Sequence, residues 1–325
     1  MIALLSIKMM RIKAIAFLCI CVISVGMFLP EKIVNALVHK KDAMLEILIE
    51  NKHGVIQVYK NKDNDHVVFG SNVYDGMLNV DIRHNSNGIH RAYLLPVIAP
   101  NAKNVLVVGL STGSWVSVLS SMPNLESITV VELNPAYPKL AENYAEMAKV
   151  INDKRIKIVT DDGRRWLSKE RDEKFDFILM NTTFHWRSYA TNLLSQEFLN
   201  LVKSHLREDG FVYFNTTQSY DAWFTAYKVY PYTYKYGSMA LASLKAIPAL
   251  DEQHIEESLS KLMWQNGQSV FQSKSELEEA RRILMDTSLI PYESYNFSEY
   301  QRKPELITDK NMVTEYKYGL FSQSK

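Results

Sequence analysis

Three short clusters of glycine and acid carry the chemistry that can be read from this chain. Gly109, Ser111, Thr112 and Gly113 follow the apolar run Asn104-Val-Leu-Val-Val108, Glu132 closes Ser127-Ile-Thr-Val-Val-Glu132, and Asp161, Asp162 and Gly163 follow Ile156-Lys-Ile-Val-Thr160. Small residues after a buried strand keep a turn compact enough for a ligand to touch backbone, and helix-start N–H groups beyond it suit an anionic or carboxylate group. An acid at the tip of the next strand can accept hydrogen bonds from both hydroxyls of a ribose. A carboxylate at the third strand end can accept from an exocyclic amine such as that of adenine. Each cluster has a plainer alternative. Gly109-x-x-x-Gly113 lacks the third glycine of a dinucleotide fingerprint, so an ordinary strand-to-helix turn stays open, and Asp162-Gly163 reads equally as a common turn.

A fourth apolar run, Phe175-Asp-Phe-Ile-Leu-Met180, ends at Asn181 and is followed by Phe184-His-Trp-Arg-Ser-Tyr189. His185 has the side-chain chemistry of a general base near neutral pH, and Arg187 that of a carboxylate or phosphate clamp. The alternative is that Trp186 and Tyr189 close a pocket while His185 and Arg187 stay solvated. His90 is a further candidate base, though a lone histidine is more often structural.

These clusters need a scaffold that brings successive strand ends together. From Asn104 to about Thr217, apolar runs alternate with helical patterns, which predicts β-α-β units around a parallel sheet. Asn134-Pro135 predicts a cap and first turn for a helix with Tyr137, Leu140, Ala141, Tyr144 and Ala148 on one face. Ser195 caps a second, ending at Gly210, and Ser275-Glu-Leu-Glu278 has the pattern of a capping box. Upstream, Leu45 to Tyr59 with a turn at His53-Gly54, then Val67 to Phe69 and Met77 to Val80, predict short antiparallel strands. The tail after Pro291 reads as a peripheral, partly ordered segment. The resulting partition is an N-terminal segment over residues 1–42, a small β-rich unit over 43–100, a nucleoside-binding domain over 101–245 and a helical extension over 246–325.

In this order the glycine-containing turn, Val-Val-Glu-Leu-Asn134, Asp-Asp-Gly-Arg-Arg165, Phe175-Asp-Phe-Ile-Leu-Met-Asn181 and Leu-Leu-Ser-Gln-Glu-Phe198 resemble the spermidine synthase family. The resemblance runs from about Leu45 to about Tyr236, and Tyr74-Asp-Gly76 resembles that family's Leu-Asp-Gly at the mouth of the site. It implies the class I S-adenosylmethionine methyltransferase fold: an α/β, doubly wound, mostly parallel sheet preceded by the β-rich unit, to which the apolar run of the N-terminal segment adds one hydrophobic helix. It also implies S-adenosylmethionine or its decarboxylated form as co-substrate, Tyr74 and Asp75 at the entry to a small-molecule acceptor site, and aminopropyl transfer in polyamine metabolism; Phe184, Trp186 and Arg187 join that site by their place on the loop after the fourth strand, where such folds place substrates. Four positions depart from the family pattern. Asn181 stands where the family has an aspartate that takes the amine's proton, Phe184 where a further acid of the same motif would balance an ammonium, Thr112 where the glycine loop has an aspartate, and Arg91 after His90 where a glutamate is usual. An amide has no usable pKa, so Asn181 is an unsuitable base, and a diamine dication loses carboxylates that would offset its desolvation. Methyl transfer to a neutral or anionic molecule and a non-catalytic adenosyl-ligand protein are the alternative readings.

Composition narrows the rest. The 325 residues, 47% hydrophobic, suffice for a full α/β core with an appendage, and a net charge of +1 argues against a nucleic-acid partner. Cys19 and Cys21 both lie in the N-terminal apolar run and the eight histidines are scattered, so neither a disulfide framework nor a metal site is expected. Ala14 to Pro30 contains no charged residue over about 17 positions, the length of a short membrane anchor, with signal-peptide cleavage near Ser24-Val-Gly26 as the alternative. Because adenosyl sulfonium ligands are made in the cytosol, a single N-terminal anchor with a cytoplasmic catalytic domain is the expected arrangement, export after cleavage the alternative, and a homodimer the oligomer that fits.

Overall fold

The computed structural model describes residues 13–26, 43–71, 73–181, 189–298 and 302–318. Four strands open the body: β1 (Ala43–Asn51), β2 (Gly54–Asn61), β3 (His66–Gly70) and β4 (Val73–Met77), paired antiparallel in that order. The last strand lies earlier than the Met77 to Val80 run expected from sequence. A turn at Ser71, whose N–H donates to Val55 O at 2.7 Å, sends the chain back at Val73, so Tyr74, Asp75 and Gly76 are strand residues.

The main sheet has eight strands. Its parallel part is β9 (Leu206–Asn215), β8 (Phe175–Met180), β5 (Asn104–Val108), β6 (Ser127–Glu132) and β7 (Ile156–Thr160), in that spatial order. Beyond β9 the strands β11 (Met239–Ser243), β10 (Tyr232–Tyr236) and β12 (Leu289–Pro291) pair antiparallel, so the sheet is mixed. The chain steps from β5 outward to β6 and β7, then returns to β8 on the other side of β5. That reversal separates the loops after β5 and β8 and opens a crevice at the carboxyl ends of the strands.

The β5 run shows why both faces must be covered. Val105 and Val107 enter one core, with Leu94, Val116 and Leu140, while Leu106 and Val108 enter the other, with Leu167, Phe198 and Trp223. Alternation by two places apolar residues on both sides of the sheet, and each such side chain contributes roughly 1.5–3 kcal/mol by leaving water. With the helix over residues 13–26 as α1, the first face is covered by α2 (His90–Ile98), α3 (Ser114–Ser120), the pair α4 (Ala136–Glu142) and α5 (Ala145–Ile151), and α10 (Glu252–Ser260); the second by α6 (Gly163–Lys169), α7 (Thr191–Leu194), α8 (Gln196–Ser204) and α9 (Tyr220–Val229).

Several expectations change at this level. The helix after Asn134 is two helices, because Tyr144 is extended at φ −120° and packs its ring 4.9 Å from that of His66. Strand β9 starts at Leu206, before Gly210. The cap of α11 (Lys274–Met285) is Ser273 rather than Ser275: its hydroxyl accepts from Glu276 N while Glu276 accepts from Gln272 N. The tail is packed rather than peripheral. Tyr292, Tyr295 and Phe297 surround Trp223, the wholly buried Asp221 accepts from Arg302 and from Glu305 N, and Asp309 pairs with Arg164 and Ser195. The segment expected as a helical extension therefore also lends β12 to the main sheet.

Residues 13–26 are helical and keep Ile15, Phe17, Leu18 and Ile20 exposed. Among the described residues no helix is long and apolar enough to cross a membrane, and the remainder of the expected anchor lies outside them.

Candidate active site

The loop after β5 is shaped by backbone. Gly109 (φ 90°), Ser111 (φ 49°) and Gly113 (φ 76°) all take left-handed conformations, and Gly109 N extends the ladder to Val131 O at 2.8 Å. The loop is tied to β4 by hydroxyls: Ser111 donates to Asp75 O, and Ser114 to Met77 O at 2.8 Å. Gly76 lies against it at φ 144°, where an added Cβ would stand 3.0 Å from Thr112 Cγ2. Only glycine fits both that conformation and that approach.

Glu132 ends β6 inside the crevice, 5% exposed. One carboxylate oxygen accepts from Leu110 N and the other from Asn134 N, each at 2.7 Å, which fixes the side chain and leaves further lone pairs for a ligand. Burial pushes its pKa up to about 7, against the pull of these N–H groups. Asn134 Oδ1 caps α4 through Ala136 N and accepts from Asn51, so the β-rich unit is locked to the same corner.

Two cavities meet here. The larger, about 370 Å³, runs from Gly109, Ser111 and Glu132 past Asp162 and Gly163, between apolar walls that include Val108 and Leu193. The smaller, about 200 Å³, lies between β4 and the ends of β5 and β8, with Tyr74, Arg91, Thr112, Trp115, Asn181 and Asn215 in its wall. Asp75, Gly109 and Ser111 line both. Asp162 turns its carboxylate to Arg165 N at 2.8 Å, capping α6, and Gly163 is pressed to Val108, whose Cγ1 would lie 2.5 Å from an added Cβ.

The structure thus gathers Gly109, Ser111, Thr112, Glu132, Asp162, Gly163, Tyr74, Asp75 and Asn181 around one crevice. Gly113 stands just behind it as the N-cap of α3. Asp161 is outside the lining and pairs with Arg165 and, at 3.6 Å, Lys169. His90 is also outside: its Nδ1 contacts the Asn85 side chain, its ring leans on Tyr236, and burial followed by the Arg91 charge pushes its pKa down to about 4. Its ring is uncharged at neutral pH and lines neither cavity. Phe184, His185, Trp186 and Arg187 lie outside the described residues. Sequence reasoning missed Tyr137, whose hydroxyl donates to Asp75, and Asn87, Trp115 and Asn215, which reach the site from three other elements. Asn215 Nδ2 donates to Asn181 Oδ1 at 3.2 Å. Tyr137 stands one turn after Asn134-Pro135, so that cap was a signal; the others have none in local sequence. Among the described residues no group of acids, histidines or cysteines could hold a metal ion.

A profile of the spermine/spermidine synthase domain matches residues 92–255, half of the chain. The chain belongs to the spermine/spermidine synthase family. It is 31% identical over 126 residues to a polyamine aminopropyltransferase of Agathobacter rectalis, covering 38% of this chain and 44% of the relative. Against that of Streptococcus pneumoniae serotype 4 it is 30% identical over 148 residues, 45% of this chain and 48% of the relative. The matched region thus spans less than half the length of these relatives. Among solved structures, a spermidine synthase in complex with the transition-state analogue AdoDATO superposes with a TM-score of 0.55 at 19% identity, over 66% of this chain and 84% of the other. The spermidine synthase of Thermotoga maritima gives 0.54 at 19% identity, over 66% and 83%. The likeness confirms the expected α/β architecture with its N-terminal β unit.

Proposed function

We propose that this protein is a polyamine-type transferase that binds an adenosyl sulfonium donor across the two cavities and moves the donor's propyl-linked group to a small acceptor. The observation that carries the reading is the junction at Gly109 and Ser111, where the cavity holding Glu132 and Asp162 opens into the one holding Asn181. A nucleoside placed in the larger cavity would set its ribose at Glu132 and its base between Val108 and Leu193 near Asp162, pointing the sulfonium toward the smaller cavity. The relatives named as polyamine aminopropyltransferases support aminopropyl transfer, and the donor we propose for it is decarboxylated S-adenosylmethionine.

In that reaction an amine lone pair attacks the carbon next to the sulfonium. The carbon–sulfur bond breaks, its electrons return to sulfur as methylthioadenosine leaves, and the ammonium so formed passes its proton to solvent. Holding the partners in line supplies much of the acceleration, while a general base adds only ~10²–10⁴-fold. Asn181 accepts no proton, so the described crevice works by alignment, and an acceptor amine arriving already neutral suits it best. The test is to incubate the full-length protein with decarboxylated or intact S-adenosylmethionine and a panel of neutral, anionic and dicationic amines, reading products by mass. Release of methylthioadenosine with an acceptor gaining an aminopropyl mass supports the proposal. A methylated acceptor with S-adenosylhomocysteine, or no turnover with any pair, overturns it.

A further inference from the structure

Arg91 occupies the wall of the smaller cavity, and among the described residues no carboxylate pairs with it. Its guanidinium is instead held by neutral groups: Nε donates to Gly88 O at 2.9 Å, one terminal nitrogen to Asn87 O at 3.2 Å, and the other to Ser238 Oγ at 2.8 Å, with Met239 sulfur at 3.9 Å. The face of the fork lies 5.4 Å from the centre of the Trp115 ring. Three elements far apart in sequence thus fix the side chain, while its charge lacks an anion. Guanidinium is a cation at any working pH, so burial of this kind is costly without a counter-charge.

A second, independent feature lies beside it. The hydroxyl of Tyr213 is wholly buried, has no hydrogen-bond partner among the described residues, and sits within electrostatic range of Arg91, its ring 6.3 Å from that of Trp115. Tyr213 stands behind the cavity wall, and its hydroxyl, its pKa raised by burial, supplies Arg91 no counter-charge, so the cavity is the side from which an anion can reach the guanidinium. At the junction with the nucleoside cavity stands Asp75, which lines both cavities. The smaller cavity thus presents a cation on one wall and an acid on another, and about 200 Å³ accommodates a short chain bearing both charges.

We propose that the Arg91 wall is a carboxylate-binding subsite, so that the smaller cavity takes an amino-acid-like group rather than a diamine. This deepens the transferase reading and rests on the same crevice. The carboxylate has two possible sources: the amino-acid end of intact S-adenosylmethionine, which the decarboxylated donor lacks, or the acceptor. Two binding comparisons on the full-length protein separate them. The first sets S-adenosylmethionine against its decarboxylated form. The second, in the presence of methylthioadenosine, sets 4-aminobutyrate against putrescine, which differ by a carboxylate in place of one aminomethyl end.

A preference of about tenfold or more for the carboxylate ligand in the first comparison assigns the subsite to the donor, and in the second to the acceptor, a tenfold ratio being 1.4 kcal/mol. Arg91→Gln should erase that preference while methylthioadenosine still binds with wild-type affinity, which also reports that the variant is folded. Arg91→Lys, which keeps the charge without the fork, should retain part of it. No preference in either comparison, or a preference that survives Arg91→Gln, overturns the proposal. If wild-type protein fails to bind methylthioadenosine, the nucleoside reading falls, and the carboxylate subsite is judged on 4-aminobutyrate against putrescine alone.

Discussion

Glu132 accepts the backbone N–H of Leu110 at 2.7 Å, so the acid at the tip of β6 holds the loop that follows β5. The contact makes one carboxylate both a structural tie and the candidate ribose acceptor. Its elevated pKa of about 7, caused first by burial, gives the double role a pH signature. Ligand hydroxyls favour the ionised form, so methylthioadenosine should bind more tightly as pH rises from 6 to 8, with net proton release seen as a buffer-dependent heat in calorimetry. Glu132→Gln should flatten the profile and cost about 1–3 kcal/mol of affinity. In the ligand-free protein the sign is opposite. The unfolded carboxyl ionises near 4.5 and the folded one near 7, so stability falls across that window by up to about 3 kcal/mol, which denaturation at pH 5 and pH 8 would measure.

Gly163 and Val108 meet in the wall of the larger cavity. An added Cβ would stand 2.5 Å from Cγ1 of Val108, a buried residue at the carboxyl end of β5. Gly163→Ala should destabilise the fold by about 1–3 kcal/mol through overpacking. Combining it with Val108→Ala should recover part of the loss. Thermal or urea denaturation of the two singles and the double gives the coupling, and additive costs would show that the contact is not the cause.

The C-terminal segment depends on one buried acid. Asp221 is 0% exposed and accepts from Arg302 at 2.9 Å and Glu305 N at 2.8 Å. Asp221→Ala leaves a guanidinium and an N–H without their partner, at a cost of about 3–5 kcal/mol. Limited proteolysis should then cut first between residues 302 and 318, well before the body from Ala43 to Ser243 is attacked. Uniform digestion would mean that the tail is held by its aromatic residues instead.

The three strand-end clusters were legible because each is local: an apolar run, a turn and an acid adjacent in sequence, which a doubly wound sheet must align at one edge. The family pattern extended that to Asp75 and Asn181. What stayed hidden depends on distance along the chain. Arg91 reads as a departure from a family acid, yet its partner Ser238 is 147 residues away and nothing near either one announces the pairing. His90 looked like a base because its type permits it; only packing against Asn85 and Tyr236 shows that it faces elsewhere. The tail seemed featureless because Arg302, Ile307 and Asp309 are spaced by an irregular path over α9 and α8 rather than by a helix or strand period.

Residues 13–26 form a helix whose apolar side chains are exposed, Phe17 at 69% and Leu18 at 64%. A helix apolar on all sides is normally buried in protein or in lipid, and we propose that the N-terminal segment is this protein's membrane contact. Removing Met1 to Pro30 should then leave the melting temperature of the body nearly unchanged while any recovery of the full-length protein with membranes is lost. A truncated protein that aggregates, or still sediments with membranes after a high-salt wash, would mean that the body itself provides the contact.

Putrescine should be a poor acceptor, and the reason is the charge around Asn181. Its amide accepts from Asn215 at 3.2 Å, Thr112 lines the same cavity, and Arg91 adds a cation where the family pattern has acids. Each lost hydrogen bond to a charged group costs on the order of 1.5–3 kcal/mol, so two or three such losses remove most productive binding of a dication. Asn181→Asp is a mild change, since an aspartate can keep accepting from Asn215 while supplying a proton acceptor and a negative charge. Assayed with decarboxylated S-adenosylmethionine and putrescine, the wild-type protein should form little spermidine and the variant clearly more, with the gain in kcat falling as pH drops below the new carboxylate's pKa. Combining it with Arg91→Glu should add to KM improvement more than to kcat, because that position bears on binding the second ammonium. Robust spermidine formation by the wild-type protein would refute the charge argument, and an inert double variant would place the obstacle elsewhere in the crevice.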